Sequence, residues 1–199
     1  RSTRRNKMFV LGNGESRKSI DVNTLPGPTI GCNAICRDFF VDHLICVDRR
    51  MVDQAHNNYS QNYNKIYTRT DWLDNRKQIK NLFAVPKVPY EIEVRADEPF
   101  QWGSGPYAVL IACNLSNNIK MLGFDLHSKD KYMNNVYKDT QNYNKSDHHF
   151  IDPRYWIHQI GKVFELYRKR NFTIYQTHEW KLPKSWNYPN VSVDIINNL

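Results

Sequence analysis

The sequence of 199 residues has no long apolar run. Its longest one, AVLIACNL, is interrupted by Asn114 and is much shorter than the ~20 residues that a membrane-spanning helix needs. The basic stretch from Arg1 to Lys7 leads into only a few apolar residues, unlike a secretory signal peptide. We therefore expect no membrane span and no secretory route, and a protein that acts in the cytoplasm.

Paired cysteines are also missing. The four cysteines, Cys32, Cys36, Cys46 and Cys113, do not form the C-x-x-C pairs that structural zinc sites and thiol redox motifs use. We expect reduced and mostly buried thiols. A chain of this length suits one domain, with a core large enough to fold without disulfides or a structural metal.

Acidic residues are fewer than basic ones, and the formal net charge is +8. Such an excess is typical of proteins that bind nucleic acids. However, Arg1, Arg4, Arg5 and Lys7 supply half of it, with no acidic residue among them. The remaining charge suits an anionic ligand at least as well as a polymer, so nucleic-acid binding is retained only as an alternative.

Short apolar runs alternate with segments that suit helices, which predicts an α/β protein. Strands are predicted at 7–11, 29–33, 42–48, 65–68, 82–85, 119–125 and 171–176. Buried strands that alternate with helices indicate a Rossmann-like, mostly parallel sheet with helices on both faces. We expect a single domain over 8–199, preceded by a flexible basic tail at 1–7.

Two helices are predicted, over 104–118 and 152–170. The first is apolar nearly all round, with Ser104 as its cap, and the second begins with an Asp cap and a proline. Residues 86–103 read as a loop with one edge strand. The polar, histidine-rich segment 126–151 is too long for a loop that only connects two elements, and we expect it to form a lid over a binding site.

The stretch after the first strand suggests a ligand-binding loop. Gly12 and Gly14 allow close backbone approach, Asn13 offers an amide, and Ser16 suits a helix cap. The dinucleotide fingerprint G-x-G-x-x-G is not met, because Arg17 stands at its third glycine position. Taken alone, the loop is as compatible with a plain strand-end turn as with a ligand site.

Other strand ends carry similar groups. Asn33 and Asp48 follow the second and third strands, and Gly103, Ser104 and Gly105 open the apolar helix. Each polar side chain singly is best explained as an ordinary helix cap. Because the carboxyl ends of parallel strands meet at one edge, the set together favours a ligand cleft with a phosphate site at the glycine-flanked serine.

Several of these motifs resemble those of bacterial CMP-sialic-acid-dependent sialyltransferases. They are FVLGNGES, IGCNAI, and GSGPYAVLIACNL followed by a strand that ends G-F-D. The resemblance implies a Rossmann-like fold and metal-independent transfer with inversion. It also implies a nucleotide-sugar donor, with CMP as the candidate nucleotide, a hydroxyl-bearing acceptor, and no required cofactor.

The resemblance also implies roles for individual residues. Asn13 and Ser104 would contact the nucleotide phosphate or sugar, and Asn33 would line the donor pocket. Asp48 stands where the family has Asn, and the donor site would also include Asp125. The family has lid tyrosines that bind the phosphate and a histidine that acts as general base. The candidates here are Tyr132 and Tyr137 for the former, and His127, His148 and His149 for the latter.

The histidines also have other interpretations. An unperturbed imidazole titrates near 6.5, so a loop histidine beside a carboxylate suits a general base. His127, Asp147, His148 and His149 have the right residue types for a metal site but no diagnostic spacing. Exposed loop histidines without a function are the commonest case, and His158 on the second helix fits a surface or boundary position.

The C-terminal half has a second resemblance. NNVYKDTQNYN, DPRYWIHQIGKVFE and the ending W-K-L-P-K-S-W-N-Y-P-N-V are similar to proteins of unknown activity encoded by tailed phages of marine bacteria. This implies a virus-encoded protein in a bacterial host. Trp102, Trp156, Trp180 and Trp186 suit base or sugar stacking, although Trp180 and Trp186 more simply anchor an irregular C-terminal tail.

The sequence thus predicts a nucleotide-sugar-dependent glycosyltransferase of the sialyltransferase type. Two alternatives remain open. One is a nucleotide- or sugar-binding protein without catalysis, and the other is a nucleic-acid-associated phage accessory protein.

Overall fold

Eight parallel strands form one sheet in the computed structural model, which describes residues 7–90, 102–127, 131–149 and 151–199. The strands are β1 (Lys7–Leu11), β2 (Thr29–Cys32), β3 (Val41–Ile45), β4 (Tyr63–Thr68), β5 (Leu82–Ala84), β6 (Asn118–Leu122), β7 (Asn171–Gln176) and β8 (Val191–Ile195). Their order across the sheet is β5-β4-β3-β2-β1-β6-β7-β8. The predicted α/β, Rossmann-like class is confirmed, and every pairing between neighbouring strands is parallel.

The described part of the chain has four α-helices: α1 (Arg49–Tyr59), α2 (Thr70–Leu73), α3 (Ser104–Leu115) and α4 (Arg154–Leu166). Helices α3 and α4 pack on one face with inward residues such as Val10, Ile119 and Phe172. Helix α1 and a short 3-10 helix at Asn33–Arg37 pack on the other face with Leu11 and Leu44. The prediction of helices on both faces is therefore confirmed.

The apolar character of α3 follows from its position. Nine of its twelve residues are buried, because it lies against β1, β2, β3 and β6 and also against α4. The four cysteines are free and buried, as predicted. Burial raises the pKa of the Cys36 thiol to about 11, which keeps it protonated at neutral pH.

Several boundaries differ from those predicted. Lys7 begins β1, as the strand prediction has it, and the rest of the predicted tail, 1–6, lies outside the described residues. Helix α4 ends at Leu166, four residues earlier than predicted. Of the predicted loop 86–103, residues 91–101 also fall outside the described ranges, as do 128–130 and 150 of the predicted lid.

The prediction of an irregular C-terminal tail was wrong in one respect. Val191–Ile195 forms β8, which pairs with β7 at the edge of the sheet. Trp186 does anchor the preceding segment: it is fully buried, and its indole Nε1 donates to the carbonyl of Ile157 at 2.8 Å. Among the described residues, no helix is both long and apolar enough to cross a membrane.

Candidate functional site

A cleft of about 320 Å³ opens at the carboxyl edge of the sheet. The chain runs outwards from β1 to β5 on one side and from β6 to β8 on the other, so the strand order reverses between β1 and β6. Ligands of open α/β sheets bind at such a reversal. We call this the switch-point cleft. It is lined by Gly12, Asn13, Gly14, Cys32, Asn33, Val47, Asp48, Gly103, Ser104, Gly105, Pro106, Gly123, Phe124, Asp125, Leu126, Asn134, Asn135, Trp156 and Ile160.

The glycines after β1 let the loop lie directly against the end of β6. The amide of Gly12 donates to the carbonyl of Leu122 at 2.8 Å, and that of Gly14 donates to the carbonyl of Gly123 at 2.9 Å. A Cβ at Gly12 would overlap the carbonyl oxygen of Gly123, and one at Gly14 would lie 2.6 Å from the Asp125 carboxylate. Close packing between the two strand ends therefore requires glycine at both positions.

Arg17 fixes the conformation of this loop. Its guanidinium is buried, and Nε donates to the carbonyl of Gly12 at 2.6 Å. Nη2 donates to Oδ1 of Asn13 at 2.9 Å, while Nδ2 of Asn13 donates to the carbonyl of Cys32 at 3.0 Å. Asn13 thus lines the cleft as predicted, but its side chain also ties β1 to β2. In the sequence, Arg17 only interrupts a glycine fingerprint, which gives no sign of this role.

Ser16 and Asp125, both predicted to bind the ligand, hold each other. The Ser16 amide donates to Oδ2 of Asp125 at 2.9 Å, and the Ser16 hydroxyl donates to Oδ1. Both residues are buried, and the predicted cap role of Ser16 is wrong, because its hydroxyl reaches Asp125, just beyond β6, instead of a helix end. Their direct role is to join the loop after β1 to the end of β6.

Asn33 and Ser104 meet across the cleft. Asn33 has a positive φ of 51°, and its Oδ1 accepts a hydrogen bond of 3.0 Å from the Ser104 hydroxyl. That hydroxyl also accepts from the amide of Val47 at 3.2 Å. Ser104 is therefore not the predicted helix cap. Gly103 occupies the cap position of α3 and offers no side chain to the first amides of the helix.

The N-terminus of α3 consequently faces the cleft without a side-chain cap. The first amides of a helix have no partner inside the helix and favour an anion there. Gly105 leaves room around them, because even a Cβ there would make only an ordinary 3.4 Å contact with Phe124. This geometry suits a phosphate oxygen.

Asp48 is a helix cap, which was the alternative explanation for this residue in the sequence. Its carboxylate accepts from the amide of Arg50 at 2.8 Å and so caps α1. It also pairs with the Arg50 guanidinium, which lowers the pKa of the carboxyl. The residue still lines the cleft.

A second cleft, of about 580 Å³, adjoins the first. Among the described residues, Asp125 and Asn134 line both clefts. We call the second one the β7 cleft, because it includes the end of that strand. Its lining is Glu15, Ser16, Asp125, His127, Tyr132, Met133, Asn134, Lys138, Gln176, Thr177, His178 and Trp180.

The predicted lid residues separate into different positions. His127 and Tyr132 line the β7 cleft. His148 and His149 are exposed and belong to the lining of neither cleft, and a β-bridge joins His149 to Tyr132. Tyr137 is buried beside Arg17 and lines neither cleft, so it is not placed to bind a phosphate as it stands.

Sequence reasoning missed several cleft residues. Asn134 is the main one: its Oδ1 accepts from the amide of Glu15 at 2.8 Å, and its Nδ2 donates to the carbonyl of His127 at 3.1 Å. Gln176 and His178 follow from the end of β7, where no motif marks them. Trp156, named only among the aromatics, lines the switch-point cleft. Within the described ranges, no three His, Cys, Asp or Glu side chains lie together as a metal site needs.

Two solved structures from Campylobacter jejuni are similar to this chain. The monofunctional alpha-2,3-sialyltransferase Cst-I has a TM-score of 0.60 and 16% identity over 87% of this chain and 77% of its own. The chain has a sialyltransferase-like fold. Sialyltransferase CstII, solved in complex with the substrate analogue cytidine-5'-monophosphate, has a TM-score of 0.51 and 14% identity over 85% of this chain and 79% of its own. No protein-family model and no curated protein matches the sequence.

Both clefts lie where the parallel strands of the sheet end. At 14–16% identity the likeness establishes only the fold. Any activity has to be argued from the residues that line the clefts.

Proposed function

We propose that the protein is a nucleotide-sugar-dependent glycosyltransferase that binds its donor in the switch-point cleft. The observation that carries the proposal is the uncapped N-terminus of α3, which opens into a cleft at the strand reversal between two glycine-rich turns. The fold adds support, and so does the CMP bound to CstII, which makes CMP the first candidate nucleotide.

The phosphate would bind at the N-terminus of α3. The amides of Ser104 and Gly105 supply donors, and the positive end of the helix dipole favours the anion. Asn33 adds a further donor, since its Oδ1 is occupied by Ser104 and its Nδ2 remains for the ligand. The same groups would stabilise the charge that develops on the phosphate as it leaves.

His127 is our candidate for the general base. Of the three histidines proposed for this role, it lines the cleft that adjoins the donor, whereas His148 and His149 line neither. In the transfer, an acceptor oxygen forms a bond to the anomeric carbon while the bond from that carbon to the phosphate breaks. The phosphate keeps the electron pair, and His127 takes the acceptor proton. This step needs no metal ion.

Thermal unfolding against a panel of nucleotides tests the donor assignment. The panel contains CMP, UMP, AMP, GMP and CMP-sialic acid. Saturation at ~100 times the dissociation constant adds about 2.7 kcal/mol to the stability. At about 2–4 °C per kcal/mol in a domain of this size, the midpoint should rise by several degrees with the cytidine compounds alone. If none of the five shifts the midpoint, the switch-point cleft is not a nucleotide site.

Replacement of the histidines tests the base assignment. His127→Gln should lower the transfer rate by about 10²-fold or more at unchanged CMP affinity, in line with the usual contribution of a general base. His148→Gln is the matched control, because the side chain is exposed and lies outside both clefts. Equal transfer rates in the two variants would remove His127 from the mechanism.

A further inference from the structure

Two helices end in an exposed leucine at the edge of the sheet where the strands begin, opposite to both clefts. Leu115 is the last residue of α3 and Leu166 is the last residue of α4. Their exposed fractions are 49% and 51%. A single exposed leucine is ordinary, but two at the ends of packed helices place apolar surface on one side of the molecule.

The segment that follows α4 ties the two helix ends together. Nε of Arg170 donates to the carbonyl of Cys113 at 2.9 Å, and its Nη1 donates to Oδ1 of Asn117. The amide of Asn171 donates to the carbonyl of Asn117 at 2.9 Å. Because Cys113 and Asn117 flank Leu115, the end of α4 lies beside the end of α3.

Basic side chains accompany the leucines. Arg168 and Lys169 are exposed and follow α4 directly. Lys7 is also exposed and is paired in register with Asn118, at the start of β6. The described segments 115–118 and 166–170 contain no acidic residue. Glu165, which comes just before them on α4, has its Oε2 3.4 Å from Nζ of Lys162. The charged groups of these segments are therefore all positive.

Two half-buried tyrosines complete this surface. Tyr167 and Tyr188 pack against the core, and the Arg168 guanidinium lies 5.2 Å from the centre of the Tyr188 ring. Leucine, tyrosine and basic side chains together are typical of a membrane interface: apolar groups enter the acyl boundary, tyrosine rings lie at the headgroups, and cations contact lipid phosphates. A nucleic acid would use the cations and rings but would leave both leucines in water.

We propose that this surface docks on an anionic lipid bilayer. We call it the amino-edge patch, and it consists of Lys7, Leu115, Leu166, Tyr167, Arg168, Lys169 and Tyr188. The leucines enter the boundary between headgroups and acyl chains, and the cations pair with the lipid phosphates. Because the strands run away from this edge, both clefts then face the aqueous phase. The inference does not depend on the proposed function.

Co-sedimentation with lipid vesicles tests the apolar part of the patch. One set of vesicles contains equal amounts of phosphatidylglycerol and phosphatidylcholine, and the other contains phosphatidylcholine alone. Leu166→Ser should weaken binding to the anionic vesicles by about tenfold, because a leucine side chain no longer leaves water. Leu199→Ser is the matched control, since Leu199 is also exposed but follows the carboxyl end of β8. Both leucines are exposed, so thermal unfolding of both variants should match the wild type.

A double variant tests the charged part. Arg168→Gln combined with Lys169→Gln should weaken binding by about 25-fold, or about fivefold for each lost cation. Lys18→Gln combined with Lys131→Gln is the control, because both lysines are exposed and lie in segments at the opposite edge of the sheet. This control should bind like the wild type, and the wild type should bind the anionic vesicles much more tightly than the neutral ones.

A DNA duplex and a single-stranded RNA are titrated in parallel to separate the two kinds of anionic partner. Wild-type binding to a nucleic acid that is lost in the double variant and kept in Leu166→Ser would assign the patch to nucleic acid and overturn the proposal. Failure of the wild type to bind anionic vesicles would overturn it too. So would equal losses in Leu166→Ser and Leu199→Ser, because the binding surface would then not be the amino-edge patch.

Discussion

A single buried cation organises the loop after β1. Arg17 reaches the carbonyl of Gly12, the amide oxygen of Asn13 and, at 3.4 Å, the hydroxyl of Tyr137. A buried guanidinium is stable only when its donors are paired, and here the partners belong to the cleft loop itself. The sequence shows Asn13 as a candidate donor for the ligand, but it does not show that this side chain is oriented by Arg17. That follows only from the fold.

Gly12→Ala should destabilise the protein. The new methyl group would overlap the carbonyl oxygen of Gly123, which is backbone and cannot move aside cheaply. Overpacking of this kind costs about 1–3 kcal/mol. Urea unfolding measures the loss.

Gly161→Ala is the control for this change. The residue lies inside α4, and its Cβ would meet Trp186 at an ordinary 3.4 Å. We expect a gain of about 0.5–1 kcal/mol from the better helix former. Equal unfolding midpoints for the two alanine variants would contradict the packing described for Gly12.

At the scale of elements, the described part of the predicted lid is held against the sheet. Val136 donates its amide to the carbonyl of Asn13 at 2.9 Å, and the Ala34 amide donates to the hydroxyl of Tyr143 at 3.3 Å. Arg37 donates to Oγ1 of Thr140 at 2.8 Å and to the carbonyl of Gln141 at 2.7 Å. Residues 131–149, the docked segment, are thus tied to the loops that form the switch-point cleft.

Arg37→Met should loosen the docked segment without unfolding the sheet. Hydrogen exchange of the amides in 136–147 should become about tenfold faster, which corresponds to a loss of ~1.4 kcal/mol in local docking energy. Arg154→Met is the control, because Arg154 is exposed and pairs with its neighbour Asp152. Unchanged exchange in Arg37→Met would show that other contacts hold the segment.

An aromatic ladder crosses the outer strands. His43 on β3, Tyr67 on β4 and Phe83 on β5 have ring centroids 5.8 and 5.9 Å apart, and Nδ1 of His43 lies 3.3 Å from the Tyr67 hydroxyl. Burial lowers the pKa of the His43 imidazole below its ordinary value of 6.5. The folded protein therefore favours the neutral ring.

This pKa shift makes stability depend on pH. The unfolded chain takes up the proton at a higher pH than the folded one. The contribution of the neutral His43 ring to the free energy of unfolding is therefore fully present above about pH 6.5. It is lost as the pH falls from there towards the pKa of His43 in the folded protein. His43→Gln should give a flatter stability profile than the wild type between pH 7 and pH 5, as measured by urea unfolding at each pH. Parallel profiles would contradict the assignment.

For the molecule as a whole, the strands and the sheet class could be predicted from local signals. The span of β7 agrees with its prediction at both ends, and so does that of β1. Strand β8 was missed because only Val191, Val193 and Ile195 alternate with polar residues, in a short run after a proline-rich stretch. The order of strands was not predictable, because it depends on which edge each connection returns to.

The residues of the candidate site were also predictable only in part. The sequence marked Asn33, Ser104 and the glycines, since polar and glycine residues at strand ends are local signals. It gave no sign that the cap of α3 would be Gly103, which leaves the helix amides open to the cleft. It also missed Asn134, whose Oδ1 accepts from the amide of Glu15, a residue far away in the sequence.

The central claim is that the open N-terminus of α3 binds the phosphate of a nucleotide. The most direct test is calorimetric titration of CMP into the wild type, Gly105→Ala and Gly161→Ala. Gly105→Ala adds one methyl group at the mouth of the helix, next to Phe124, without a clash in the protein. The account predicts equal affinity for the wild type and Gly161→Ala, and affinity weaker by about tenfold or more for Gly105→Ala at similar stability. Absence of CMP binding to the wild type, or equal affinity in all three proteins, would contradict it.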